Sequence, residues 1–508
     1  MTEDAAGNQA GTPPPTADEA VRLARRRFFR AFVSDAMKTA ASVVGVAGAL
    51  QRTSAEMAGT LLGAAAEPRE ETVPAPGPPD FNGGAGAAQA PAAPAAPAAT
   101  FRSPFRLETD SIILLDQRRL PDELVEVSCQ SAADVRVAIL EGVVRGAPLL
   151  GQVTAAALAV AAAGAADSRP YARRAILKGT SNALHNAAGS AAPVRQAIAR
   201  MGAIIDRRSD LFDDGPGLAA VLRAEAEAII GEATLDLAAL GGHGATLFAG
   251  APEGSKALSV LTLGSVGALA GGQLGTVLAV LNRAIADGAS IEVTVCETRP
   301  ALTGTRLTGW ELEQAGIPYT IIPDAGAGAL IAKDEIDVVI VGAEAIAANG
   351  DSFAEAGTHA LALLAWRHDI PFVVAAPGVT IDLEAVDGRR FVVEPRPVHD
   401  VLAVQGRRFA PPGASARNPG LDLTPGELVG AIVTEGGLFE PPLADGLAQV
   451  AAAVRARWSI PLDPPVSETS ELSESAQSTP PAEPSVVEGS VVQGSSAGGS
   501  AVLEGGVA

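Results

Sequence analysis

The chain has 508 residues, 47% of them hydrophobic but only 4% aromatic, so any core must be built mainly from Ala, Val, Leu and Ile. A net charge of −21 excludes an extended nucleic-acid-binding face, because phosphate backbones need compensating Lys and Arg. Two distant cysteines and five histidines without ligand spacing point to a reducing, cytoplasmic setting with no disulfide and no metal centre.

Residues 1–15 are polar and Pro-rich and read as disordered. Thr16 and Glu19 then form a capping-box signature for a helical segment over 16–66. Phe28, Phe29, Phe32, Val33 and Ala36 recur in it at helical spacing, and Arg22, Arg25, Arg26, Arg27 and Arg30 crowd its first half. Three readings of this segment stay open. It is an amphipathic helix docked on the protein or on a twin subunit. It is a helix for a membrane surface or a protein partner. Or it is a twin-arginine export signal, which Asp35 and Lys38 interrupt. Residues 67–104 carry Ala-Pro repeats and form a semi-extended linker. At the other end, 462–508 hold seven acidic residues and no Lys or Arg, the pattern of a disordered acidic tail.

The folded body spans about 105–461. Its first part, 105–241, has a strand-like run at 111–115 and Ala-rich helical stretches such as 132–144 and 153–163, giving a helical N-terminal domain. In the second part, 242–461, apolar runs at 258–263, 291–295, 319–322, 337–341, 371–375 and 391–393 alternate with helical segments. That alternation predicts an α/β protein with a Rossmann-like, doubly wound parallel sheet, whose ligands bind beyond the carboxyl ends of the strands. No run of about 18 or more uncharged apolar residues appears, so no membrane-spanning helix is expected.

Two loops at such ends carry candidate chemistry. Residues 264–272 offer several glycines, which serve either close backbone approach to an anion or plain helix–sheet packing; no Lys-Ser/Thr completes a Walker loop. Residues 342–351, G-A-E-A-I-A-A-N-G-D, end a buried run with two carboxylates. Glu344 suits proton transfer in a desolvated cleft or a structural bond to backbone amides, and Asp351 reads as a turn or helix cap.

Several motifs carry a resemblance: V-V-R-G-A-P at 143–148, E-T-R-P-A-L-T-G-T-R-L-T-G-W-E-L at 297–312, the 342–351 loop, and R-N-P-G-L-D-L-T-P at 417–425. They resemble the family of methylthioribose-1-phosphate isomerase and ribose-1,5-bisphosphate isomerase, which includes the alpha, beta and delta subunits of translation initiation factor 2B. The resemblance covers nearly the whole folded body but neither terminal extension. It implies a helical domain, a Rossmann-like domain, a homodimer, and aldose–ketose isomerisation of a phosphorylated sugar without cofactor.

The resemblance also implies site residues. Glu344 takes the place of a general acid/base aspartate. Arg145, with Gly146 and Ala147 behind it, matches a substrate-binding motif. Gly267 lies in the loop after the first strand, Thr303 replaces a substrate-binding glutamine, and Asp351 closes the N-G-D segment. Departures are as informative. Gly264 stands where the family has a catalytic cysteine, Glu355 where it has a substrate-binding lysine, and a phosphate-binding arginine expected near 188–193 is not recognisable. The leading expectation is therefore a catalytically degenerate member with a binding or regulatory role. The alternatives are an active isomerase using Glu344 and Arg145, and a scaffold acting through its extensions. An open pocket around Gly264, Glu344 and Arg145 favours ligand binding or altered chemistry; a crevice filled by side chains favours a structural role.

Overall fold

The computed structural model describes residues 103–189, 191–207, 214–249, 256–391, 396–404 and 406–458. The Arg-rich segment, nearly all of the Ala-Pro linker and the acidic tail lie outside them, and so does the scaffold reading built on those segments.

An antiparallel sheet of β1 (Phe105–Leu107), β2 (Ile112–Leu115) and β3 (Glu126–Cys129) leads into helices. These are α1 (Ala132–Leu140), α2 (Ala147–Gly164), α3 (Pro170–Ala188), α4 (Ala192–Arg207) and α5 (Gly215–Ala245). Ser131 and Asp134 exchange side-chain and backbone hydrogen bonds to start α1. It stops short of residue 144 because Gly142 adopts φ +73°, outside the helical region. Helix α2 begins at 147, earlier than its apolar pattern suggested, with Pro148 in the first turn where no amide bond is forfeited. Fourteen of its 18 residues are buried. It is long and apolar enough to cross a membrane, contrary to the sequence expectation, but its burial in the helical core accounts for that composition.

Helix α5 joins the two halves. Its 31 residues span about 46 Å at the usual rise. Leu218, Leu222, Ala226 and Ile229 pack in the helical core, whereas Leu240 and Ala245 pack against the sheet.

The second half opens with β4 (Leu258–Thr262), α6 (Ala268–Gly271), α7 (Val277–Ala286) and β5 (Ile291–Cys296). Next come α8 (Gly309–Gln314), β6 (Tyr319–Ile322), α9 (Ala327–Ala332) and β7 (Val338–Val341). A hairpin of β8 (Ala345–Ala347) and β9 (Ser352–Glu355) precedes α10 (Thr358–Arg367), β10 (Phe372–Ala375) and β11 (Ile381–Asp382). The chain then makes α11 (His399–Leu402), the ribbon β12 (Ala403–Val404) and β13 (Arg407–Arg408), and β14 (Leu421–Thr424). It finishes with β15 (Ala431–Thr434), β16 (Gly437–Phe439) and α12 (Leu443–Trp458).

The main sheet runs β16-β15-β10-β7-β4-β5-β6, parallel except for β16. A smaller sheet, β11-β8-β9-β14, carries the hairpin. One expected strand, 391–393, needs correction. Phe391 follows a tight turn at Gly388–Arg390 and stacks on Phe353 at 5.6 Å; Val392 and Val393 lie outside the described residues. The sixth parallel place belongs to β15 instead.

Candidate active site

Strand order reverses between β4 and β7, so the loops leaving them face each other across one crevice. Gly146, Gly264, Ser265, Glu344, Glu355 and Thr358 are among its walls. It encloses about 40 Å³, against the roughly 300–1,000 Å³ of a small-molecule site. Side chains fill it.

Glu344 leaves the end of β7 half-buried, and its Oε2 accepts the Ala147 N–H at 2.6 Å. Ala147 is the first residue of α2, so the carboxyl sits on a helix N-terminus, where the dipole favours negative charge. Burial nonetheless pushes its pKa above the ordinary carboxylate range, against the pull of Arg396. Gly146, at φ +96°, lies so close to Ala270 that a Cβ would come within 2.5 Å of its Cα; only glycine lets the two domains meet here. Arg145 is half-buried, its guanidinium folded over Gly142, and it makes no hydrogen bond or ion pair among the described residues. Burial and the neighbouring charge of Arg396 lower its pKa.

The opposite wall is built around Gly264. Its φ of +90° requires glycine, its N–H donates to Thr298 Oγ1 at 2.9 Å, and its carbonyl accepts from Thr308 Oγ1 at 2.7 Å. Thr298 is itself left-handed, at φ 61°. The Asp324 carboxylate supports this by accepting the amides of Thr298 and Arg299, each at 2.7 Å. Glu355, at the end of β9, reaches over Gly264. Its Oε2 accepts from Thr303 Oγ1 at 2.6 Å, and its Oε1 lies 3.6 Å from Arg396 Nη1. A Cβ built on Gly264 would stand 3.0 Å from that Oε2. Thr303, only 2% exposed, therefore serves Glu355 in this structure.

Gly267 has a different task from anion approach by a ligand. A Cβ there would collide with the carboxyl of Glu311, which is completely buried in α8 and accepts the Leu269 N–H at 3.0 Å. The glycine loop does meet a carboxyl group, but the protein supplies it. Desolvation lifts Glu311 to about 8. Asp351 stands off the crevice wall and caps no α-helix. Its two oxygens accept the amides of Gly388 at 2.9 Å and Gly426 at 2.8 Å, the first residues of two short 3-10 turns.

Glu311 and Arg396 received no role from the sequence. Glu311 follows Leu307 by four residues, which places it on the inward helical face, and that spacing was its one available signal. Arg396 gave none. Two further buried residues went unnoticed: Gln117 Nε2 donates to the Leu269 carbonyl at 2.6 Å and Gln152 Nε2 to that of Gly271 at 3.0 Å. Through them the helical domain grips the loop after β4. Among the described residues no His, Cys, Asp and Glu cluster is arranged to hold a metal ion.

A profile of the initiation factor 2 subunit family matches residues 143–441. The methylthioribose-1-phosphate isomerase of Chloroflexus aurantiacus is 41% identical over 344 residues, covering 68% of this chain and 96% of that protein. Its namesake from Anaeromyxobacter sp. (strain Fw109-5) is 43% identical over 343 residues, 68% of this chain and 95% of that one. Among solved structures, 5-methylthioribose 1-phosphate isomerase from Pyrococcus horikoshii OT3 aligns with a TM-score of 0.61 and 30% identity, over 69% of this chain and 96% of that one. Subunit delta of translation initiation factor eIF-2B from A. fulgidus gives 0.59 and 32%, over 69% and 99%. Matched by the profile across more than half its length, and by relatives along nearly theirs, this chain belongs to the initiation factor 2 subunit family.

Proposed function

We propose that this protein is a member of the family that does not isomerise sugar phosphates and acts in a binding or regulatory role, as a cytoplasmic homodimer. One observation carries the reading: the Thr303–Glu355 hydrogen bond holds a carboxylate over Gly264, in the space a side chain at that position would need. Glycine offers no group to hold or pass a proton, so position 264 gives Glu344 no reactive partner. The Glu355 charge also opposes a phosphate. The test is to incubate purified full-length protein with methylthioribose-1-phosphate or ribose-1,5-bisphosphate and look for ketose. None is expected. Turnover that Glu344→Gln abolishes would overturn the proposal.

An active isomerase is the second reading, and two observations favour it. Glu344 is a carboxyl of raised pKa at the switch point, as an acid/base group requires, and the relatives at 41–43% identity bear the isomerase name. In that case Glu344 shuttles the proton between C1 and C2 of an open-chain sugar while Arg145 anchors its phosphate.

A further inference from the structure

Two guanidiniums and two carboxylates share this part of the molecule. Arg396 lies 3.6 Å from Glu355, and the charges of Arg396, Glu355 and Arg145 all act on Glu344. Arg145 has no hydrogen bond or ion pair among the described residues, although it is half-buried. Ser265, on the crevice wall, has a buried hydroxyl oxygen without a hydrogen-bond partner. Donors are therefore present in excess of the acceptors that reach them, and the remaining volume of about 40 Å³ admits only water-sized occupants. Glu355 is held from two sides, by the Thr303 hydroxyl and by Arg396, with its side chain only 15% exposed.

We propose that Glu355 is an internal plug, a tethered carboxylate that occupies an anion site and so keeps phosphate-bearing small molecules out of the crevice. The proposal rests on the reading of this crevice as closed, and it names the residue that closes it. Removing the carboxylate strips Arg396 of its ion pair, beside a crevice walled by Ser265 and within reach of the Arg145 charge, and an incoming phosphate takes its place. Loss of one like charge at close range is worth about tenfold or more in anion affinity.

The probe is inorganic phosphate, titrated by calorimetry into full-length wild type, Glu355→Gln and Glu355→Ala at fixed ionic strength. Glu355→Ala, which removes both bulk and charge, is expected to bind phosphate at least about tenfold more tightly than wild type, and Glu355→Gln, which removes the charge alone, to gain less; Arg145→Ala in the Glu355→Ala background should remove the gain. Equal affinity in wild type and the Glu355 variants overturns the proposal, as does a gain that survives Arg145→Ala. If the Glu355 variants fail to fold by circular dichroism, Thr303→Val decides. It frees the carboxylate without changing charge, so a rise in phosphate affinity supports the plug and no rise refutes it. Ketose formation by wild type would refute the proposed function; it leaves this comparison of phosphate affinities to be judged separately.

Discussion

Replacing Asp351 with Ala removes the acceptor of two backbone amides at once, those of Gly426 at 2.8 Å and Gly388 at 2.9 Å. Hydrogen bonds to a charged group contribute roughly 1.5–3 kcal/mol each, and Asp351 is half-buried, so solvent screening reduces that value. Together the two losses come to about 2–4 kcal/mol. Asp351→Asn retains one carbonyl acceptor and should lose about half as much. The effect is local, because both amides open short turns: one leads to Phe391 and the other to β15. Hydrogen exchange by mass spectrometry therefore suits it better than a global melt, which need not be two-state in a protein with two cores. Each turn loses one of the two bonds, about 1–2 kcal/mol, so peptides covering 385–391 and 424–430 should each exchange about five- to thirtyfold faster in Asp351→Ala, with Asp351→Asn intermediate and peptides around Gly264 unchanged. Exchange within about threefold of wild type in both peptides, together with weakened binding of a phosphorylated ligand, would refute the reasoning. Asp351 would then belong to a ligand site after all.

Two further predictions concern the closed interface behind the crevice. Burial lifts Glu311 to about 8 from its ordinary 4.5, so the folded protein keeps a proton that the unfolded chain releases. Stability from that proton is complete below about 4.5 and is lost as pH rises through about 8; unfolding midpoints at pH 5, 7 and 9 should fall more steeply in wild type than in Glu311→Gln, whose remaining decline comes from Glu344 and Glu435, also raised by burial. Parallel declines in the two proteins would count against Glu311 as the titrating group. Gly146→Ala adds a Cβ at φ +96° against the backbone of Ala270 and should lower stability by about 2 kcal/mol or more in urea. A neutral result would mean that the two domains do not meet as closely as described.

The main sheet was legible because parallel strands covered on both faces leave nearly continuous apolar runs, as at Val338–Val341 and Phe372–Ala375. The same criterion promoted 391–393, where an apolar residue follows a tight turn. It passed over Ala431–Thr434, a fully buried, largely apolar strand of only four residues. Within the site, Gly264, Glu344 and Glu355 were each visible as departures from a familiar pattern. Their mutual fit was not visible, because Thr303 and Glu355 are 52 residues apart and Arg396 arrives from a separate excursion of the chain. Gly267 was ambiguous for a related reason: its partner, Glu311, is a buried carboxyl, and fully buried Glu side chains are too uncommon to be assumed from spacing alone.

Helix α5 has a mechanical meaning. A single unbroken rod contributes side chains to the helical core and to the core on one face of the main sheet, so bending at a joint between the two halves would have to fracture the rod or strip it from one of them. A change in the crevice must then reach the outer surface by side-chain repacking.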